Sequence, residues 1–276
     1  MKQFKIRASQ AGKILGGSIG LSDAQKNKLH ELQTREKPLT DNMKAELYSL
    51  LWNLKEPTYP AGLITYVKEW LKEALYKRRK QLSNKYMDKG NLNEEDGVTL
   101  LALHFGTWLD TNTKYMENEW ACGTCDINHK ELGVWDIKNS YSLDTFPMFE
   151  TKIPNTDYAD QVNVYQELYD NKVGGGVAYV LTDMPNELLE RELKWIDSDD
   201  DKQDKALNYI YTLERWKKVK AEYFPNAKEI DFIEIPADKR VKTFDVPYDE
   251  EKIKKLKNRV GEIRNFIKEV LNLQNK

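Results

Sequence analysis

The segment that most narrows the possible folds runs from Gly123 to Ser140: Gly-Thr-Cys-Asp-Ile-Asn-His-Lys-Glu-Leu-Gly-Val-Trp-Asp-Ile-Lys-Asn-Ser. Strand-forming residues flank Asn128–Gly133, where Asn and Gly suit a turn. A hairpin centred on Glu131 sets Asp126 directly opposite Asp136. Strand alternation then puts Lys138 on the same face as Asp136 and turns Trp135 and Ile137 to the other. Two carboxylates opposed across a ladder repel. A hard divalent cation between them removes that repulsion, and carboxylate oxygens are what Mg²⁺ prefers, with Mn²⁺ a substitute. A lysine one pleat away can orient a water or stabilise charge on a phosphate. A surface hairpin with scattered charges would show arbitrary spacing instead.

Around this hairpin, helix and strand patterns interleave. Residues 22–54 read helical with a break near Pro38, then 66–87, then 93–108. Strand character covers 114–120, 124–128 and 134–140. A helix is expected over 157–171, capped by Asp157, and Gly174-Gly-Gly176 leads into a buried strand at 177–181. Residues 186–224 look helical around the run Asp197-Ser-Asp-Asp-Asp201, which reads as a helix–helix loop. Strands at 230–235 and 241–246 precede a basic helix at 249–273. The expected class is therefore α/β (α+β), a central mixed sheet flanked by helices. The 276 residues suffice for a large core, and 7 Trp, 15 Tyr and 8 Phe exclude a disordered chain.

With 43 Lys+Arg against 45 Asp+Glu the net charge is −2, which argues against a histone-like polycation. The balance is uneven along the chain. Residues 68–89 hold eight cations against three acids, 239–276 eleven against six, and 183–204 three against nine. Lys77, Arg78, Arg79 and Lys80 on the basic helix are candidates for contacting DNA phosphate, with Tyr76 or Tyr86 stacking on a base or sugar; a solvated helix face is the plain alternative. Nothing resembles a signal peptide or a membrane span. Two cysteines cannot form a disulfide framework, so a reducing cytoplasm is the expected location. Cys122-Gly-Thr-Cys125 lacks the partners of a zinc site and enters a strand rather than a helix, so it reads as coincidence. His104 and His129 have no partner at metal spacing.

Gly-x-x-Asp, nine residues, then Asp-x-Lys resembles the active-site signature of the PD-(D/E)XK nuclease superfamily, in particular its phage lambda-type exonuclease and YqaJ-like viral recombinase branch. That branch has a glutamate four residues after a glycine in an upstream helix. Gly90-Asn-Leu-Asn-Glu94 matches it, with Glu95 the ligand if the helix is phased differently; acids in a first helical turn also suit the macrodipole. Gln161-Val-Asn-Val-Tyr165 fits the downstream Gln/Tyr helix of RecB-type nucleases. Ile6-Arg-Ala-Ser9 resembles the segment that puts a hydroxyl near a terminal phosphate. The resemblance covers roughly residues 5–182. Cys125 departs from it, standing where the family often has Pro.

The resemblance implies a restriction-endonuclease-like core in one nuclease domain over 1–276, with a helical part at 1–89, a catalytic core at 90–182 and C-terminal helices and strands at 183–276. It implies Mg²⁺ held by Glu94, Asp126, Asp136 and the Ile137 carbonyl, with Lys138 acting on the attacking water. The implied activity is a Mg²⁺-dependent 5′→3′ exonuclease of phage-type recombination on linear double-stranded DNA. A single-strand annealing partner and a homo-oligomer go with it. A structure-selective or nicking endonuclease on the same core, and a non-catalytic DNA-binding module, are the rival readings.

Overall fold

The computed structural model describes residues 2–16, 21–55, 61–79 and 84–274. Strand β1 (Ile6–Arg7) passes through a short 3₁₀ turn into α1 (Ala11–Leu15). Helices α2 (Asp23–Thr34), α3 (Asp41–Lys55), α4 (Ala61–Tyr76), α5 (Lys85–Leu92) and α6 (Glu94–Phe105) follow. Next come β2 (Met116–Glu117), β3 (Ala121–Gly123), β4 (Ile127–His129) and β5 (Gly133–Asn139). The crossover helix α7 (Asp157–Leu168) leads to β6 (Gly175–Val180). Helices α8 (Asn186–Leu193), α9 (Asp199–Ala206) and α10 (Leu213–Tyr223), strand β7 (Val241–Asp245) and helix α11 (Glu250–Gln274) complete the chain.

The strands form two sheets, ordered β1-β3-β2 and β4-β5-β6-β7. In the second, β5 and β6 run parallel and the outer pairs antiparallel, so the expected mixed sheet is present. Helix α6 covers one face, where Val98 and Leu101 pack with Ile127, Trp135, Ala178 and Val180. Helix α7 covers the other, where Val162 packs with Val177, Tyr179, Leu181 and Phe244. The burial of β6 on both faces explains its unbroken small and apolar sequence. Gly175, at φ 131°, lies where a Cβ would meet the Val134 carbonyl oxygen at 2.0 Å. Glycine is what lets β6 begin that close to β5.

Four expectations are corrected. The segment 66–87 is not one helix: α4 ends at Tyr76, Lys77 takes a left-handed φ of 56°, and Asn84 caps the separate α5 through the amides of Tyr86 and Met87. The acidic run is not a loop, because Ser198 caps α9 and Asp199, Asp200 and Asp201 fill its first turn, where acids suit the macrodipole. Residues 230–235 pair with no sheet; Phe232 instead stacks on Trp216 at 4.7 Å, and Ile230 packs in the same C-terminal cluster. Of 114–120 only Met116–Glu117 is strand, and the ladder runs through Ala121–Gly123.

Candidate active site

The hairpin pairs Ile127 with Trp135, Asn128 with Val134 and His129 with Gly133. Continued by one residue, that register sets Asp126 across from Asp136. The Ile137 amide donates to Oδ2 of Asp126 at 2.6 Å. Asp136 is buried, and its Oδ1 accepts from Nε2 of Gln161 at 3.1 Å. Its Oδ2 lies 2.6 Å from Nζ of Lys138 and accepts no well-directed hydrogen bond among the described residues. Gln161 Nε2 also reaches the Tyr165 hydroxyl at 3.0 Å, so one turn of α7 supplies both groups. A Cβ at Gly123 would stand 2.9 Å from the Tyr165 ring; the glycine leaves that ring its place.

Glu94 opens α6, and a buried polar network fixes the approach to it. Asn93 Nδ2 donates to Oγ1 of Thr182 at 2.7 Å and to the Asp183 carbonyl at 2.6 Å. Lys89 is wholly buried, and its Nζ donates to the carbonyls of Ser140 and Tyr141 at 2.7 and 3.1 Å. These bonds tie the α5–α6 junction to the ends of β5 and β6. Glu94 thereby lines the same cleft, about 570 Å³, as Asp126, Asp136, Lys138, Gln161 and Tyr165. Glu95 does not line it. Ile137 lines the cleft through its backbone position, while its side chain turns toward Gly97 of α6.

The electrostatics follow from this crowding. Burial and the Asp136 charge push Asp126 up to about 7, against the pull of Lys138 and the Ile137 amide. Burial works against the Lys138 ammonium, but the ion pair with Asp136 holds it above its ordinary value. Burial lowers Lys89 to about 7, opposed by the charge of Asp183. Among the described residues no three Asp, Glu, His or Cys side chains already close around one point. The donor set nevertheless fits a hard cation: two crowded carboxylates, one with a buried oxygen lacking a directed hydrogen bond, and a third carboxylate across the cleft.

Tyr86 also lines this cleft, and other sequence candidates lie elsewhere. Ser9 is exposed in the turn after β1, and Lys77, Arg78 and Arg79 are exposed beyond α4; none of the four lines the cleft. Lys80 falls outside the described residues. Burial pushes the Cys125 thiol up to about 12, so this cysteine is no ready thiolate. His129 caps its own turn, Nδ1 accepting from the amides of Glu131 and Leu132. Sequence reading missed Tyr158, whose ring lies 4.5 Å from Nζ of Lys138. Its spacing of three and seven residues from Gln161 and Tyr165 was the available signal.

No protein-family model matches the chain, and no curated protein matches it. Solved structures do. A phage-related exonuclease from Haemophilus somnus 129PT superposes with a TM-score of 0.62 at 23% identity, over 99% of this chain and 97% of that one. An alkaline exonuclease from Laribacter hongkongensis, LHK-Exo, gives 0.55 at 10% identity over 98% and 91%. LHK-Exo in complex with dAMP gives 0.50 at 11% identity over 98% and 94%. From one end of the described chain to the other, the fold is that of these phage-related and alkaline exonucleases.

Proposed function

We propose that the chain is a metal-dependent deoxyribonuclease, a 5′→3′ exonuclease acting on linear double-stranded DNA in phage-type recombination and built as one nuclease unit. The meeting of Glu94, Asp126, Asp136, Lys138 and Gln161 in one cleft carries this reading. The exonuclease folds it resembles, one of them holding dAMP, support it. Glu94, Asp126 and Asp136, with the Ile137 carbonyl, would hold Mg²⁺, whose charge opposes the negative charge that grows on phosphate during hydrolysis.

The remaining steps belong to the side chains. Lys138 is paired with Asp136 and stays an ammonium, so it acts as a hydrogen-bond donor to the attacking water or to a phosphate oxygen. Gln161 holds Asp136 by Oδ1 and is itself braced by the Tyr165 hydroxyl. Lys77, Arg78 and Arg79, with Lys80, would contact backbone phosphate outside the cleft, making binding salt-sensitive. Product strands would pass to a single-strand annealing protein, and assembly as a homo-oligomer belongs to the same reading.

Incubation with linear and with closed circular DNA, with and without Mg²⁺, tests the proposal. Loss of the linear DNA alone, with Mg²⁺ and from the 5′ end, is the expected result. Cleavage of circles would replace the exonuclease with an endonuclease. Survival of both in Mg²⁺ and in Mn²⁺ would leave a DNA-binding module.

A further inference from the structure

The Lys138 ammonium has three N–H donors. On one side it forms an ion pair with Asp136, Nζ lying 2.6 Å from Oδ2. A second side of the ammonium is closed by the Tyr158 ring, whose centroid lies 4.5 Å from Nζ. That ring is half-buried in the cleft wall and braced from behind. Tyr179 packs against it at 6.4 Å, and Phe244 meets Tyr179 edge-on at 5.9 Å. The sheet register fixes this support, since Tyr179 of β6 is the neighbour of Lys138, and Phe244 of β7 is the neighbour of Val177 on β6. On the α7 side, Tyr158 shares a helix face with Gln161 and Tyr165.

We propose that Tyr158 is a positioning residue for Lys138: its ring face holds the ammonium against Asp136, so that one N–H remains directed into the cleft. An ammonium is strongly hydrated and sits on a flexible four-carbon stem. Without the ring it swings toward water, and its free donor loses its aim. The attraction of a ring face for a cation supplies the restraint, and the hydroxyl is not needed for it. This inference rests on the catalytic reading of Lys138 given above.

The test compares wild type, Tyr158→Phe, Tyr158→Leu and Lys138→Ala on linear 5′-phosphorylated double-stranded DNA with Mg²⁺, measuring kcat and KM separately, with a melting curve for each variant. Tyr158→Leu should lower kcat about tenfold with KM nearly unchanged, the loss expected when an aim-setting contact of this kind is removed. Tyr158→Phe should restore the rate to within about twofold of wild type, because the ring face is retained. Equal losses in Phe and Leu would assign the effect to the hydroxyl and overturn the inference. So would a wild-type kcat in a folded Tyr158→Leu protein. Full activity in Lys138→Ala would overturn the underlying reading instead, which keeps the two failures apart.

Discussion

Strand β5 shows two chemistries to the two helices that cover it. Toward α6 it presents Trp135 and Ile137, which join Leu101, Val98 and Ala178 in an apolar cluster. Toward α7 it presents Asp136, bonded by Gln161, and Lys138, paired with Asp136, and both line the cleft. The first face gains stability from every methylene it buries. The second crowds a buried carboxylate against Asp126 and leaves Asp136 Oδ2 without a directed hydrogen bond, which costs stability unless a cation or substrate completes it. A pleated strand can keep the two apart at a spacing of one residue. One face packs the sheet against α6, and the other lines the cleft.

The largest effect should come from the α7 face. Lys138→Ala or Asp126→Ala should lower the Mg²⁺-dependent rate by at least about 10³-fold, roughly 4 kcal/mol of transition-state stabilisation, without unfolding the protein. Near wild-type degradation by either would end the assignment of the two faces. Next, Leu101→Ala on the α6 side should remove about 3 kcal/mol of stability, read by denaturant unfolding, and leave the rate per folded molecule unchanged. A kcat defect at full folding would mean that the apolar face reaches into the chemistry.

Asp126→Asn should separate function from stability on one residue. The folded carboxyl titrates near 7 and the unfolded one near its ordinary 3.8. The native state therefore binds the extra proton, and wild-type stability falls as pH rises through that window. The amide removes the repulsion and can still accept the Ile137 N–H. In metal-free buffer at pH 8 the variant should be inactive yet more stable by about 2 kcal/mol, with the gain vanishing toward pH 4. A variant no more stable at pH 8 would show that the two carboxylates do not strain each other. Ile137→Val should do least. It stands between Asp136 and Lys138 in sequence but on the other face, so about 1 kcal/mol of stability should go and kcat should stay. A tenfold rate loss would erase the distinction between faces.

Much of this face arithmetic was legible in the sequence. The alternation through Trp135, Asp136, Ile137 and Lys138 dictates which side each takes, and the symmetry about Glu131 places Asp126. Gln161 and Tyr165 were legible as one helical turn. Less visible was anything decided by distant packing. Ile230–Ile235 has the residues of a strand, but its aromatic partner is Trp216, so it lies down on helices rather than joining a sheet. The break after Tyr76 depends on one left-handed residue with no glycine to announce it. Ala121–Gly123 is too small and short to look like a strand until β1 and β2 flank it. That Glu94 rather than Glu95 lines the cleft follows from the network at Asn93 and Lys89, whose members come from three separate stretches of chain.

Lys89 has a consequence of its own for the pH dependence of the fold. Its amine, buried against two carbonyls, titrates near 7 in the native state and near 10.5 when unfolded. Across that interval the unfolded chain binds more protons, so this group makes the protein more stable as pH rises. Asp126 acts in the opposite sense below 7. Each group places its maximum of stability away from neutrality, one on the acid side and one on the alkaline side. Taken together, these two groups contribute least to the stability of the metal-free protein near neutral pH.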